Sequence, residues 1–358
     1  MKRRLHALTY SFGVDRLSAW MNRRRPMVVV FHGVTREAPG SLYNHDGKHL
    51  YLPIFEHLMG FLAERFTPVP LASIVDWLEG RADVPQYAVA ITFDDGYRNV
   101  LTNAAPVLRR FGMPATVYVV TDFVFENRML WPDRLIAALG LSPRKSIALQ
   151  WPGGKLELEL EDTEGRITAD RKIRALCKSL PDAERVQLLD RVVRDLGVEE
   201  ADVASAWIDH QPLRREDLAA LPEWGIEAGS HTMSHSILSR CAPDRVEAEL
   251  QQSKRLIESA AGRTCEAFSY PNGGPGDFNR MTREKVMQAG YRSAVTTIKR
   301  RLGARVDRYE IPRYILTHND ITVAEFSAEL SGYPTALRTA KNKLVPAVST
   351  RGLRRTTA

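Results

Sequence analysis

Asp94 and Asp95 end an apolar run, Ala-Val-Ala-Ile-Thr-Phe at 88–93, and Gly96 follows them. Adjacent carboxylates raise each other's proton affinity, so such a pair at a strand end calls for compensation. A metal cation on one carboxylate would supply it and leave the other free to act as a base. Gly96 suits the turn this needs, because it tolerates backbone angles that other residues avoid. A second pair, His231 and His235, stands in Gly-Ser-His-Thr-Met-Ser-His. If that segment is a helical turn, both imidazoles share a face and can converge on one ion. Neither pair is specific alone. With nine histidines in the chain, one such spacing arises readily, and two solvated surface histidines would share it. An Asp-Asp pair also serves as a helix cap. Together, two histidines and one aspartate provide the three protein ligands of a catalytic zinc-type site with open positions.

These groups need elements to position them, and apolar β-branched runs alternate with helical patterns along the chain, as in a parallel α/β fold. Strands are expected at 27–31, 88–93, 115–120, 226–230, 267–270, 292–297 and 311–316. Helices are expected at 55–64, 71–79, 103–110, 213–221, 243–261 and 322–330. Residues 122–210 read as an insertion, with a hairpin of 146–151 and 155–161 and helices at 167–180 and 183–196. Closed barrels and open doubly wound sheets both gather reactive groups at the carboxyl ends of their strands. The unusual polar residues fall there. His32 follows the first strand, Asp94 and Asp95 the second, and His231 and His235 the fourth. Tyr270-Pro-Asn272 follows the fifth, and Arg313 lies in the seventh.

The segments Thr92-Phe-Asp-Asp-Gly96, His231-Thr-Met-Ser-His235 and Phe268-Ser-Tyr-Pro-Asn-Gly273 resemble the motifs of the polysaccharide deacetylase family, the carbohydrate esterases with a NodB-type domain. Val30-Phe-His-Gly-Val34 is similar to the N-terminal Tyr-His segment of one branch, with Phe31 in place of tyrosine. The likeness covers 26–125 and 210–332 and leaves the insertion without a motif. It implies a distorted (β/α)7 barrel carrying an inserted α/β segment. It also implies roles. Asp95, His231 and His235 would hold a divalent metal, zinc by default, with cobalt, nickel or manganese as alternatives. Asp94 would be the general base on a water at that metal. The backbone N–H of Tyr270 would stabilise the oxyanion, with Asn272 beside it as a substrate contact.

The chain departs from the commonest form of the family. Phe268-Ser-Tyr-Pro lacks the arginine that orients the base in many relatives. Arg313 is the expected substitute, reaching Asp94 from the seventh strand, with a structural ion pair as the alternative. The proton donor to the leaving amine is expected to be His32, a core histidine being the alternative. His318 follows Arg313 too closely to be the separate late element of other relatives. Trp131 opens the insertion, where it would stack on a sugar or pack the insertion onto the barrel.

The division expected is a basic segment 1–25, a catalytic domain 26–332 and a basic tail 333–358. Residues 1–25 carry seven Lys/Arg and one acid, and 331–358 carry six and none, while the rest has 37 bases and 42 acids. Such ends suit an anionic membrane surface, or are simply solvated. Leu8, Phe12, Leu17, Trp20 and Met21 are spaced for an amphipathic surface helix. No nucleic-acid-binding motif stands beside the charge, so no nucleic-acid partner is expected. Cys177, Cys241 and Cys265 are scattered, which fits a reducing compartment rather than a disulfide framework. No run approaches the roughly 20 apolar residues of a membrane span. The expectation is a cytoplasmic chain, associated with the membrane surface through its ends. Its expected reaction is metal-dependent removal of N-acetyl groups from the amino sugars of a polysaccharide or lipid-linked glycan. The alternatives are O-acetyl ester hydrolysis, deformylation, or glycan binding without catalysis.

Overall fold

Twelve strands were found in the computed structural model, which describes residues 2–315 and 320–333. They are β1 (Met27–Phe31), β2 (Gly33–Thr35), β3 (His49–Tyr51), β4 (Thr67–Pro68), β5 (Ala88–Phe93), β6 (Ala115–Val119), β7 (Ser146–Trp151), β8 (Gly154–Glu159), β9 (Ile226–Ser230), β10 (Ala267–Ser269), β11 (Ser293–Val295) and β12 (Tyr314–Ile315). β1, β5 and β6 are buried along their whole length. Parallel strands covered on both faces read as continuous apolar runs, which is what made them legible.

The main sheet is parallel and runs β11-β10-β9-β6-β5-β1-β12. The seven strands expected from sequence are these seven. β4 is an addition, pairing with Ala88 and Val89, the part of β5 that β6 does not reach. A single parallel bridge between Val295 and Ile311 carries the sheet from β11 towards β12. The α/β barrel is therefore distorted, joined at this seam by one bridge rather than a ladder. Arg313 lies in the seam, between the Ile311 bridge and the pairing of Tyr314 with Val29. Pro312 has no N–H to extend the ladder there.

β2 and β3 form a small parallel pair, in register Gly33↔His49 to Thr35↔Tyr51. Three-residue strands fall below any periodicity signal, and the sequence reading missed both. A side chain at Gly33 would have its Cβ 2.2 Å from His49 Nδ1, so this close approach requires glycine.

The insertion contains the expected hairpin, β7 against β8. Thr163–Ser179 is capped by Asp162, whose Oδ1 accepts from Gly165 N at 2.7 Å. Asp182–Leu196 ends on Gly197 in the left-handed region. Helix Trp131–Leu141 was not foreseen. Together these elements bury their own core, with Trp131, Leu135, Ile147, Leu158, Ile173 and Leu189 in contact.

The chain divides into two compact units, Arg23–Val323 and Met1–Asn22 with the chain from Ala324. In the smaller unit, helices Lys2–Ser11 and Val14–Met21 accompany the late helix Val323–Ser331. Ser18 Oγ donates to Ser331 O at 3.0 Å, and Ser327 Oγ donates to Asp15 Oδ2. The late helix, placed by sequence inside the domain ending at 332, thus belongs almost entirely with the N-terminal helices. The tail from 334 and His318 lie outside the described residues. Cys177, Cys241 and Cys265 are buried free thiols. No helix among the described residues is long and apolar enough to cross a membrane.

Candidate active site

Asp94 follows β5 and is buried. Arg313 Nη1 donates to its Oδ1 at 2.7 Å and Nη2 to its Oδ2 at 2.6 Å, a bidentate pair. The guanidinium is fully buried and wholly satisfied. Nε donates to Thr296 O at 3.0 Å, Nη1 also to Thr92 Oγ1 at 3.2 Å, and Nη2 also to Ser269 Oγ at 2.9 Å. Its five N–H donors thereby meet five acceptors. Burial raises the carboxyl pKa of Asp94, but Arg313, joined by His231 and His32, outweighs it and holds the group below the usual carboxylate range.

Asp95 turns the backbone into the left-handed region, φ 77°, so consecutive aspartates engage different partners. Its Oδ1 lies 3.4 Å from His235 Nε2 and 3.6 Å from His231 Nε2. The ligand atoms of these three buried residues all lie within 4.8 Å of one another. Ligands about 2.0–2.2 Å from one tetrahedral ion stand about 3.3–3.6 Å apart, so the spacing fits a shared cation. Asp95 Oδ1 is buried without a hydrogen-bond partner. His231 Nδ1 donates to Ser269 O at 2.7 Å, which fixes the tautomer and frees Nε2 for a metal. Burial, against the pull of Asp94, pushes the His231 imidazolium down to about 4, leaving the ring neutral at pH 7.

The histidine pair does not converge through a helical turn. Residues 231–237 form a bend, with Thr232 and His235 at φ 69° and 55°. The rings nevertheless meet, with centroids 4.9 Å apart. Of six non-glycine residues at positive φ among those described, Asp95, Thr232, His235 and Asn272 all fall at the carboxyl ends of β5, β9 and β10. Such clustering marks a site whose surroundings hold strained backbone in place.

His32 directly follows β1, partly exposed, and is an electrostatic neighbour of both Asp94 and Asp95. Its buried Nδ1 has no hydrogen-bond partner, unlike a histidine tied to backbone. The Tyr270 amide is a correction to the expected oxyanion donor. That N–H donates to Val295 O at 3.2 Å, continuing the β10–β11 pairing, and is already spent. The Tyr270 ring stacks on Phe278, centroids 4.6 Å apart. Asn272 Nδ2, by contrast, is buried and without an acceptor. Trp131 is only 5% exposed within the insertion core, so it packs.

The polysaccharide deacetylase family model matches residues 81–147 and 201–294, the segments that carry both aspartates and both histidines. The chain belongs to the polysaccharide deacetylase family. Its match begins after His32, passes over most of the insertion and ends before Arg313. This deacetylase-family chain is 29% identical to YxkH of Bacillus subtilis over 85 residues, 24% of this chain and 29% of that relative. It is 32% identical over 74 residues to the poly-β-1,6-N-acetyl-D-glucosamine N-deacetylase of Escherichia coli, 20% of this chain and 11% of that one. The matches thus span under a third of the curated relatives' lengths. Among solved structures, the deacetylase PplD of Streptococcus pyogenes, in complex with acetate, superposes with TM-score 0.56 at 13% identity, covering 86% of this chain and 98% of that one. IcaB from Ammonifex degensii superposes with TM-score 0.53 at 16% identity, covering 86% and 97%. At these identities the likeness speaks for the fold.

Three groups of this family member escaped the sequence reading. Ser269 touches both halves of the site, its carbonyl on His231 and its hydroxyl on Arg313. Glu249, fully buried on helix Pro243–Ala261, clamps the histidine loop: Oε2 accepts from Met233 N at 2.6 Å and Ser234 N at 3.1 Å, and Oε1 from Ser234 Oγ at 2.6 Å. A signal existed, because Glu249 stands on the helix's apolar stripe between Val246, Leu250 and Ser253. Lys48, beside β3, donates to Asp133 Oδ1 of the insertion at 2.6 Å and to Tyr97 Oη at 2.9 Å. Its Nζ also lies 3.9 Å from Asp95 Oδ2. No local pattern announces that contact, which needs the insertion folded over the sheet.

Proposed function

We propose that this chain is a hydrolase that removes N-acetyl groups from the amino sugars of a polysaccharide or lipid-linked glycan. The observation that carries the reading is the buried Asp94 carboxylate, gripped by both ends of Arg313 beside the Asp95–His231–His235 cluster. The name of the Escherichia coli relative supports the substrate class.

Asp95, His231 and His235 would hold a divalent cation, zinc first by donor type, with cobalt, nickel or manganese as alternatives. When bound, such an ion acidifies water and polarises a carbonyl. Asp94 takes the proton of the attacking water, and Arg313 keeps it ionised and fixed in orientation. As the new C–O bond forms, charge grows on the acetyl oxygen. Asn272 Nδ2–H is the donor proposed to meet it, in place of the Tyr270 amide. The C–N bond breaks once the amine is protonated, a role given to His32, and acetate and a free amine result.

The test is acetate release by the purified full chain with added Zn2+, on poly-β-1,6-N-acetylglucosamine, other N-acetylated glycans and O-acetylated glycans. Release from an N-acetylated glycan, lost on chelation and restored by Zn2+, is expected. No release from any of them overturns the reading. Release from O-acetylated substrates alone replaces it with the esterase reading, and glycan binding without release with a non-catalytic one.

A further inference from the structure

Helix Val14–Met21 carries its polarity inside out. Asp15 and Ser18 are buried, 3% and 6% exposed, on their contacts with helix Val323–Ser331. The apolar side chains face outward, with Leu17 59%, Trp20 53% and Met21 63% exposed. The preceding turns continue the pattern, with Leu8 at 56% and Phe12 at 80%. Of the twelve large apolar side chains exposed among the described residues, six lie between Leu8 and Met21. Scattered exposed apolar residues are ordinary, but half of them gathered in one short segment mark an interaction surface.

The charge of the segment selects the occupant. Residues 1–25 hold seven Lys/Arg, and their one acid, Asp15, is turned inward. A second copy of the chain would bring a like-charged segment against this face, which disfavours self-association. An anionic bilayer satisfies both features, since its headgroups attract the cations and its acyl boundary takes the apolar side chains. We propose that helices Lys2–Ser11 and Val14–Met21 dock this chain on the surface of an anionic membrane, lying in the interface. The inference stands apart from the deacetylase reading, because it uses none of the residues of that site.

The experiment is cosedimentation of the full chain with vesicles of mixed phosphatidylglycerol and phosphatidylcholine, or of phosphatidylcholine alone. Binding to the anionic vesicles, about tenfold weaker to neutral ones and falling with added salt, is expected. The variant Phe12→Glu/Leu17→Glu/Met21→Glu is expected to lose about tenfold or more, with an unchanged far-UV circular dichroism spectrum. Phe12→Glu alone, at the most exposed position, is expected to give the same direction should the triple variant unfold. No binding to anionic vesicles at low salt, or equal binding by wild type and variants, overturns the proposal. So does a vesicle-free dimer that the same substitutions dissociate, since a second copy would then cover the face.

Discussion

The two neighbouring aspartates sit in opposite electrostatic settings. Around Asp94 everything is matched: two carboxylate oxygens meet one guanidinium, and that guanidinium spends its remaining donors on Thr296, Thr92 and Ser269. Around Asp95 the account stays open. Asp95 Oδ1, His235 Nδ1 and His32 Nδ1 are buried without hydrogen-bond partners. Buried polar atoms without partners are costly, and native structures keep them where something else completes the set. The closed half is a rigid frame that holds one base in one state. The open half is shaped for a ligand. The family match covers Asp94, Asp95, His231 and His235 and stops before Arg313, which enters the frame from beside the last strand of the sheet.

The largest break of the comparison is Asp94→Asn. Removing the base is expected to lower the rate of acetate release by about a thousandfold or more, within the range attributed to general acid–base catalysis. The open half should not notice, so bound metal measured by elemental analysis should stay stoichiometric. An active Asp94→Asn chain would show that the frame holds no base.

Arg313→Met comes next, and acts first on stability. It leaves a buried carboxylate unpaired, at a cost of about 3–5 kcal/mol. The sign of its pH dependence follows from the pair. In the intact chain the Asp94 pKa is depressed, so its contribution is present above the unfolded value, about 3.9, and fades as pH falls through the folded one. Without Arg313, burial is opposed only by the weaker pull of His231 and His32, and the pKa rises. The loss of stability should then be greatest near neutrality and shrink in acid, and the acidic limb of the rate profile should move to higher pH. Arg313→Lys should recover part of the stability. Denaturant melts across pH would check this, and a pH-independent loss would mean that Arg313 only fills space.

How far the sequence reached follows the same division. Whole-length burial of β1, β5 and β6 leaves continuous apolar runs, so their ends, and with them Asp94, Asp95 and His32, could be placed directly. Arg313 was within reach because the motif lacked its arginine and another stood in the expected seventh strand. What stayed hidden depends on chain paths that residue types do not encode. The histidine loop bends through two left-handed residues instead of a helical turn. The Tyr270 amide is consumed by Val295, a partner that only the sheet order supplies. Lys48 meets Asp133 across a span bridged by β3 and the insertion. In the smaller unit, the apolar spacing of 8–21 was visible, but not that helix Val323–Ser331 would take the polar side and leave the apolar one outside.

The smallest expected effect sharpens the comparison most, because it should touch the open half alone. Glu249 binds neither Asp94 nor Arg313, and it touches the histidine loop only through Met233 and Ser234. Its other oxygen contact is Arg245, at 2.6 Å. Glu249→Gln keeps the size but replaces one acceptor oxygen with a donor, so the loop between His231 and His235 loses part of its clamp. Partners that orient metal ligands typically contribute about 10–100-fold in metal affinity, and a loss of that size is expected by competition with a chelator. Saturating Zn2+ should restore acetate release, and the acidic limb of the rate profile should stay where the Asp94–Arg313 pair sets it. A shift of that limb in Glu249→Gln would mean that the two halves are coupled and that the frame is not independent of the ligand set.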